Sequence, residues 1–321
     1  MSESYRPNDI VLFKLQAARG TAELTLEAGD FLQCSDFKPD LDCPVTPITS
    51  SGGPGADASI PGAQTVKVSW KIAMVSGGVA TSFGPNDKPL QASRLVKTAT
   101  NPNIAIYTPT ASVTAMKDAT IWYYTGNATA SSCTLYKISN VVLTHKVSCD
   151  ISGNGTGYIE YSGLGKLDSV TPSASQPTIT KSAVIPVALR GATLTMHSGA
   201  LGFTPMVQKF ELDGGVDTQM MYSMAAASGL GYGAQPDQMA KFSATVYDDS
   251  ASLIQANWFA GTLGIQSYSF GATPNKWVIA TGASKSQFDR VALADQNKIG
   301  CLELSGIVIA NDYTIAIHTG T

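Results

Sequence analysis

His145, Cys149 and Asp150 place an imidazole, a thiol and a carboxylate close together in the chain, the kinds of group an activated nucleophile needs. The stretch around them reads as a β-strand, and positions four apart in a strand do not bring a base onto a nucleophile. His197 and His318 also lie in strand-like stretches, beside Met196 and Thr319, with no partner in the pattern. All three imidazoles are expected to be structural or surface groups. Ser93-Arg94-Leu95-Val96-Lys97 sets its serine and lysine one residue too far apart for a Ser-x-x-Lys nucleophile. Gly153-Asn154-Gly155-Thr156-Gly157 looks like a phosphate loop but lacks the following Lys-Ser/Thr and a helix, so a turn between strands is expected. Asp36, Asp40, Asp42 and Asp248-Asp249 offer carboxylates for calcium but fit no twelve-residue loop. Asp249-Ser250 reads instead as the cap of a helix beginning at Ala251. Five cysteines (Cys34, Cys43, Cys133, Cys149, Cys301) are an odd number at no metal-like spacing. Buried thiols in a reducing compartment are expected. These residues point to no enzyme, no cofactor and no metal.

The elements around these groups are mainly β. Val66-Lys67-Val68-Ser69-Trp70-Lys71-Ile72 alternates apolar and polar side chains, the period of a half-buried strand. Leu90-Gln91-Ala92-Ser93-Arg94-Leu95 follows as a short helix. Ala240-Lys241-Phe242-Ser243-Ala244-Thr245-Val246 alternates in the same phase, with Lys241 for Lys67 and Ser243 for Ser69, and 253–258 is again helical. A loop rich in small residues precedes each strand (39–64 and 213–238). An aromatic strand ending in Thr-Gly follows each helix (121–126 and 277–282). One β-rich unit used twice is the expectation.

The chain divides accordingly into an arm (1–20), a first domain (21–166), a Ser/Thr/Pro linker (167–190) and a second domain (191–321). Pro44, Pro47, Pro54 and Pro61 argue against a regular element in the first long loop. The short strands with frequent turn signals elsewhere suggest a sandwich or barrel. The loops are expected to order on a partner. The residues singled out for assembly are Pro47, Gly52, Gly53, Pro54 and Gly55 in the first loop. In the second they are Met220, Met221, Tyr222, Met224 and Tyr232. The Met220–Met224 cluster suits either packing on another chain or the domain's own core.

Of the 321 residues, 14% are charged against a usual quarter, and Gly, Ser, Thr and Ala fill the difference. Such surfaces suit mating with other protein. A net charge of −3 argues against gripping phosphates. The first residues carry no secretion signal and no apolar run is long enough for a bilayer, so a chain made in the cytoplasm without a membrane partner is expected.

Several stretches together carry a resemblance: Arg6-Pro7 through Gly20, the strand 66–72, Gly77-Gly78, Pro89-Leu90, and Tyr107-Thr108-Pro109. The strand 120–126 and the segment ending Ile159-Glu160-Tyr161-Ser162-Gly163, before a proline-containing linker, complete it. Over its whole length the chain resembles the two-domain tail tube (major tail) proteins of long-tailed bacteriophages, more closely in its first half. The resemblance implies two tandem β-sandwich domains related by internal duplication, each with a short flanking helix. It implies a virion protein whose strands join across subunits into rings, trimeric with pseudo-sixfold symmetry, that stack into a tube for DNA ejection. The implied partners are further copies, the tail terminator, tail tip or baseplate and tape measure proteins, with DNA passing through unbound. Rival expectations are a capsid-decorating or baseplate protein, a lectin- or adhesin-like sandwich, and an enzyme with paired carboxylates in a cleft.

Overall fold

The computed structural model describes residues 9–42, 45–48, 58–77, 82–126, 133–152, 155–181, 185–197, 202–226, 229–247, 251–296 and 299–319. In its first half the elements are β1 (Ile10–Leu15), β2 (Ser35–Asp42), β3 (Val45–Ile48), β4 (Ala58–Pro61), β5 (Thr65–Ala73), α1 (Asp87–Ala92), β6 (Leu95–Asn101), β7 (Ile104–Pro109), β8 (Ala119–Gly126), β9 (Cys133–Asp150) and β10 (Gly157–Ala174). The second half holds β11 (Thr193–Met196), β12 (Val207–Asp213), β13 (Gln219–Tyr222), β14 (Leu230–Ala234), β15 (Lys241–Tyr247), α2 (Ala251–Phe259), β16 (Gln266–Phe270), β17 (Asn275–Thr281), β18 (Ser286–Gln296), β19 (Ile299–Val308) and β20 (Tyr313–Thr319). As the patterning predicts, the chain is mainly β.

Two antiparallel sheets carry the fold. The ten-stranded sheet runs β18-β19-β15-β12-β9-β10-β5-β2, with β8 also on β9 and β1 on β8. The six-stranded sheet runs β11-β16-β17-β20-β7-β6. Alternation dictates which faces meet. On β5, Val66, Val68, Trp70 and Ile72 are buried while Thr65, Lys67, Ser69 and Lys71 lie on the other face. The Trp70 ring ties four strands together, with centroids 5.9 Å from Phe13 on β1, 5.8 Å from Phe37 on β2 and 5.7 Å from Tyr161 on β10. From the smaller sheet, Trp277, Ile279, Tyr313, Ile315 and Ile317 enter the same continuous core. Each such side chain contributes about 1.5–3 kcal/mol on burial.

Four expectations are corrected. Residues 9–15, read from their pattern as a strand, do form one at Ile10–Leu15, but it is no separate arm: it belongs to the large sheet, paired with β8 from Ile10↔Tyr124 to Leu15↔Ala119. The stretch 39–64 is not devoid of regular structure. β2 stays paired to β5 as far as Asp42↔Thr65, and β3 and β4 form a separate two-stranded ribbon containing Pro47 and Pro61. A ribbon has free outer edges, where a missing N–H breaks no ladder. The expected linker is strand as far as Ala174, at the end of the long β9–β10 hairpin, where residues 169–173 of β10 are exposed. Exposed as they are, Ser and Thr suffice there, and Pro172 falls in the irregularity between Thr171↔Leu135 and Ala174↔Cys133. Finally, 121–126 and 277–282 are not counterparts: β8 belongs to the large sheet and β17 to the small one.

The halves do not stand apart. β12 pairs with β9, β20 pairs with β7, and residues from both halves share one core.

Candidate functional site

The residues with chemical potential are scattered among the strands. His145 on β9 is buried, 3.0 Å from the Tyr313 hydroxyl, which also accepts a 3.0 Å bond from Gln238. Burial lowers its pKa to about 4. Cys149 lies against the Met74 sulfur at 3.9 Å, and burial pushes its thiol well up. His197 is enclosed by the Phe203 and Phe288 rings, and burial lowers its pKa. Burial also lowers that of His318, helped by Lys276. Ser93 donates to the Leu90 carbonyl at 2.8 Å as α1 ends, and Lys97 pairs with Asp87 at 2.9 Å. Asp87 also accepts from the Tyr107 hydroxyl at 2.7 Å, which fixes the helix start to β7. Asp36, Asp40 and Asp42 are exposed along β2, while 153–154 and 248–250 lie outside the described residues. Among the described residues no cluster of His, Cys, Asp or Glu could hold a metal ion. None of their helices is long and apolar enough to cross a membrane.

The residues singled out for assembly fare differently. Gly52, Gly53, Pro54 and Gly55 lie outside the described residues, and Pro47 sits in β3 opposite Ser59. Met220, Met221 and Tyr222 form β13 and Tyr232 lies in β14. Met220 turns inward, whereas Tyr222 is 79% exposed and Met224 fully exposed. The β13–β14 ribbon bends over the first half of the chain. Asn140 donates to the Gly231 carbonyl at 2.6 Å, and Arg19 donates to Gly233 at 2.6 Å with its guanidinium over the Tyr232 ring. Gln235 is buried and donates both to Ala92 at 3.0 Å and to Leu143 at 2.8 Å.

β12 joins the halves by pairing with β9, with Phe210 and Leu212 packed inward. On its other face Glu211 meets Lys146 of β9 at 3.1 Å and Lys209 at 3.0 Å, and accepts from Ser243 at 3.3 Å. Burial works to raise the Glu211 pKa, but the Lys209 and Lys146 hydrogen bonds outweigh it and hold the carboxyl below its usual value.

The order of the large sheet has a pattern of its own. β9-β10-β5-β2 and β18-β19-β15-β12 follow each other, and their registers match. Glu160, Ser162 and Gly163 on β10 face Lys71, Ser69 and Val68 on β5. Glu303, Ser305 and Gly306 on β19 face Thr245, Ser243 and Phe242 on β15. Both glycines are required by close approach: a Cβ on Gly163 would strike the Val142 carbonyl, and one on Gly306 the Gln287 carbonyl and the Phe242 ring. Asp40 faces Lys67 as Asp213 faces Lys241. The small sheet does not repeat in this way. Glu-x-Ser-Gly, Phe-x-x-Asp (Phe37 and Asp40, Phe210 and Asp213) and Gly-Ala-Gln (62–64 and 233–235) are repeated signals that the strand-by-strand reading passes over.

The two ends of this path, β2 and β18, have a neighbour on one side only among the described residues. Leu41 there is 47% exposed and Leu293 75%. The chain matches no protein-family model and no curated protein.

Proposed function

We propose that the chain is a structural protein, built by internal duplication, that assembles head to tail with copies of itself as the tail tube of a long-tailed bacteriophage. The observation that carries this reading is the order of the large sheet. A four-strand set occurs twice, the second set's β12 is seated on the first set's β9, and the corresponding outer edges, β2 and β18, stay open. An open edge is a template for another chain. A contact between two different edges closes into a ring or continues as a filament. Two sets per chain make a trimer with six similar wedges the expected ring, in keeping with the sequence resemblance. The tail terminator, tail tip or baseplate and tape measure proteins would be its other partners.

The polar face of the large sheet suits a channel lining. Lys71 is paired with Glu160 at 2.7 Å and Lys146 with Glu211 at 3.1 Å, so these cations carry their own counter-charges. A neutralised surface releases few counterions from DNA and lets it slide.

Electron microscopy of the purified protein, averaged along and across the particle axis, tests the reading. Hollow rings or tubes with threefold symmetry and a pseudo-sixfold outline are expected. True sixfold rings would refute the two wedges per chain. Monomers at every concentration, or decoration of capsids or baseplates alone, would overturn the tube.

A further inference from the structure

The junction inside the chain is a template for a junction between chains. β5 and β15 hold matching places through Lys67 and Lys241, so Asp40 on β2 stands where Asp213 stands on β12, and Pro39 where Leu212 stands. Glu160 faces Lys146 and Glu303 faces Ala292, so Ala292 on β18 stands where Lys146 stands on β9, and Leu293 where Val147 stands. Inside the chain Asp213 pairs with Lys146 and Leu212 with Val147. Val147 is fully buried beneath that contact, whereas Leu293 is 75% exposed.

We infer that β2 of one copy pairs antiparallel with β18 of the next in the β12–β9 register, setting Asp40 opposite Ala292 and Pro39 opposite Leu293. This rests on the self-assembly reading and adds to it the register and the residues. Two further observations favour a second copy as the occupant. Continuing the register by two residues sets Asp42 opposite Arg290, two exposed groups of opposite charge on the same face. Gly62-Ala63-Gln64, at the end of the β3–β4 ribbon, matches Gly233-Ala234-Gln235 of the ribbon that lies over β9 and β10. The β3–β4 ribbon then lies over β18 and β19 of the next copy. Gln64, half-buried within one chain, is positioned to dock there as Gln235 does on Leu143. Pro39 removes one donor from the β2 edge but leaves the other positions free to pair.

Paired cysteines test the register in the full chain. Under mild oxidation, D40C combined with A292C should give a ladder of covalent multimers on a non-reducing gel. Either single variant should give none, and K38C with A292C, two residues out of step, at least about fivefold less. D42R and R290D should each abolish assembly, and the two together should restore it. Rings that form while D40C/A292C fails to cross-link, or while D42R assembles like the parent, would overturn this junction and leave self-assembly standing. A parent protein that never assembles would overturn both.

Discussion

His145 is a buried imidazole between β9 and Tyr313, held neutral by burial with its pKa at about 4. The unfolded chain binds a proton there near pH 6.5, and the folded chain binds it only near pH 4. The protein should therefore keep full stability above about pH 6.5 and lose up to about 1.4 kcal/mol per pH unit as the pH falls between those values. Thermal melting from pH 8 to 4 checks this, and His145→Gln should flatten the profile; an unchanged slope would remove His145 as its cause. At this scale the sequence was legible in what the groups do not do together. His145 and Cys149 lie on one strand and face different neighbours, Tyr313 and Met74. The repetition of Glu-x-Ser-Gly carries no such local meaning. Its glycine is explained only by the carbonyls of Val142 and Gln287, which approach from neighbouring strands, and such contacts leave no local pattern.

At the scale of elements, alternation reveals β5 and β15 because each has one buried and one polar face. The same rule fails for 169–173, since an exposed stretch of strand needs no apolar alternation. Prolines mislead too: in β3 and β4 they sit on a ribbon, not inside a sheet. The ribbon gives the second prediction. Deleting residues 50–58 should leave a folded protein, because Trp70 and its ring partners Phe13, Phe37 and Tyr161 all lie outside the deleted stretch. That protein should not polymerise. Circular dichroism and electron microscopy separate the two effects, and tubes of normal length from the deletion would exclude the ribbon from assembly.

For the whole molecule, the strands at 66–72 and 240–246 were visible in their alternation, but the way the halves meet was not. Nothing in the local pattern of β12 says that it will sit on β9, because its partner lies about sixty residues away and pairing is fixed by the shared core. Continuity of the large sheet across the halves is also what makes its two ends informative, since the proposed contact between copies would repeat the β12–β9 junction. Hydrogen exchange of the assembled and the dissociated protein tests that claim most directly. Amides of β2 and β18 should become protected together on assembly and approach the protection that β12 has in both states. Exchange at either edge that stays as fast in the assembly as in the free chain would contradict head-to-tail pairing of the sheet.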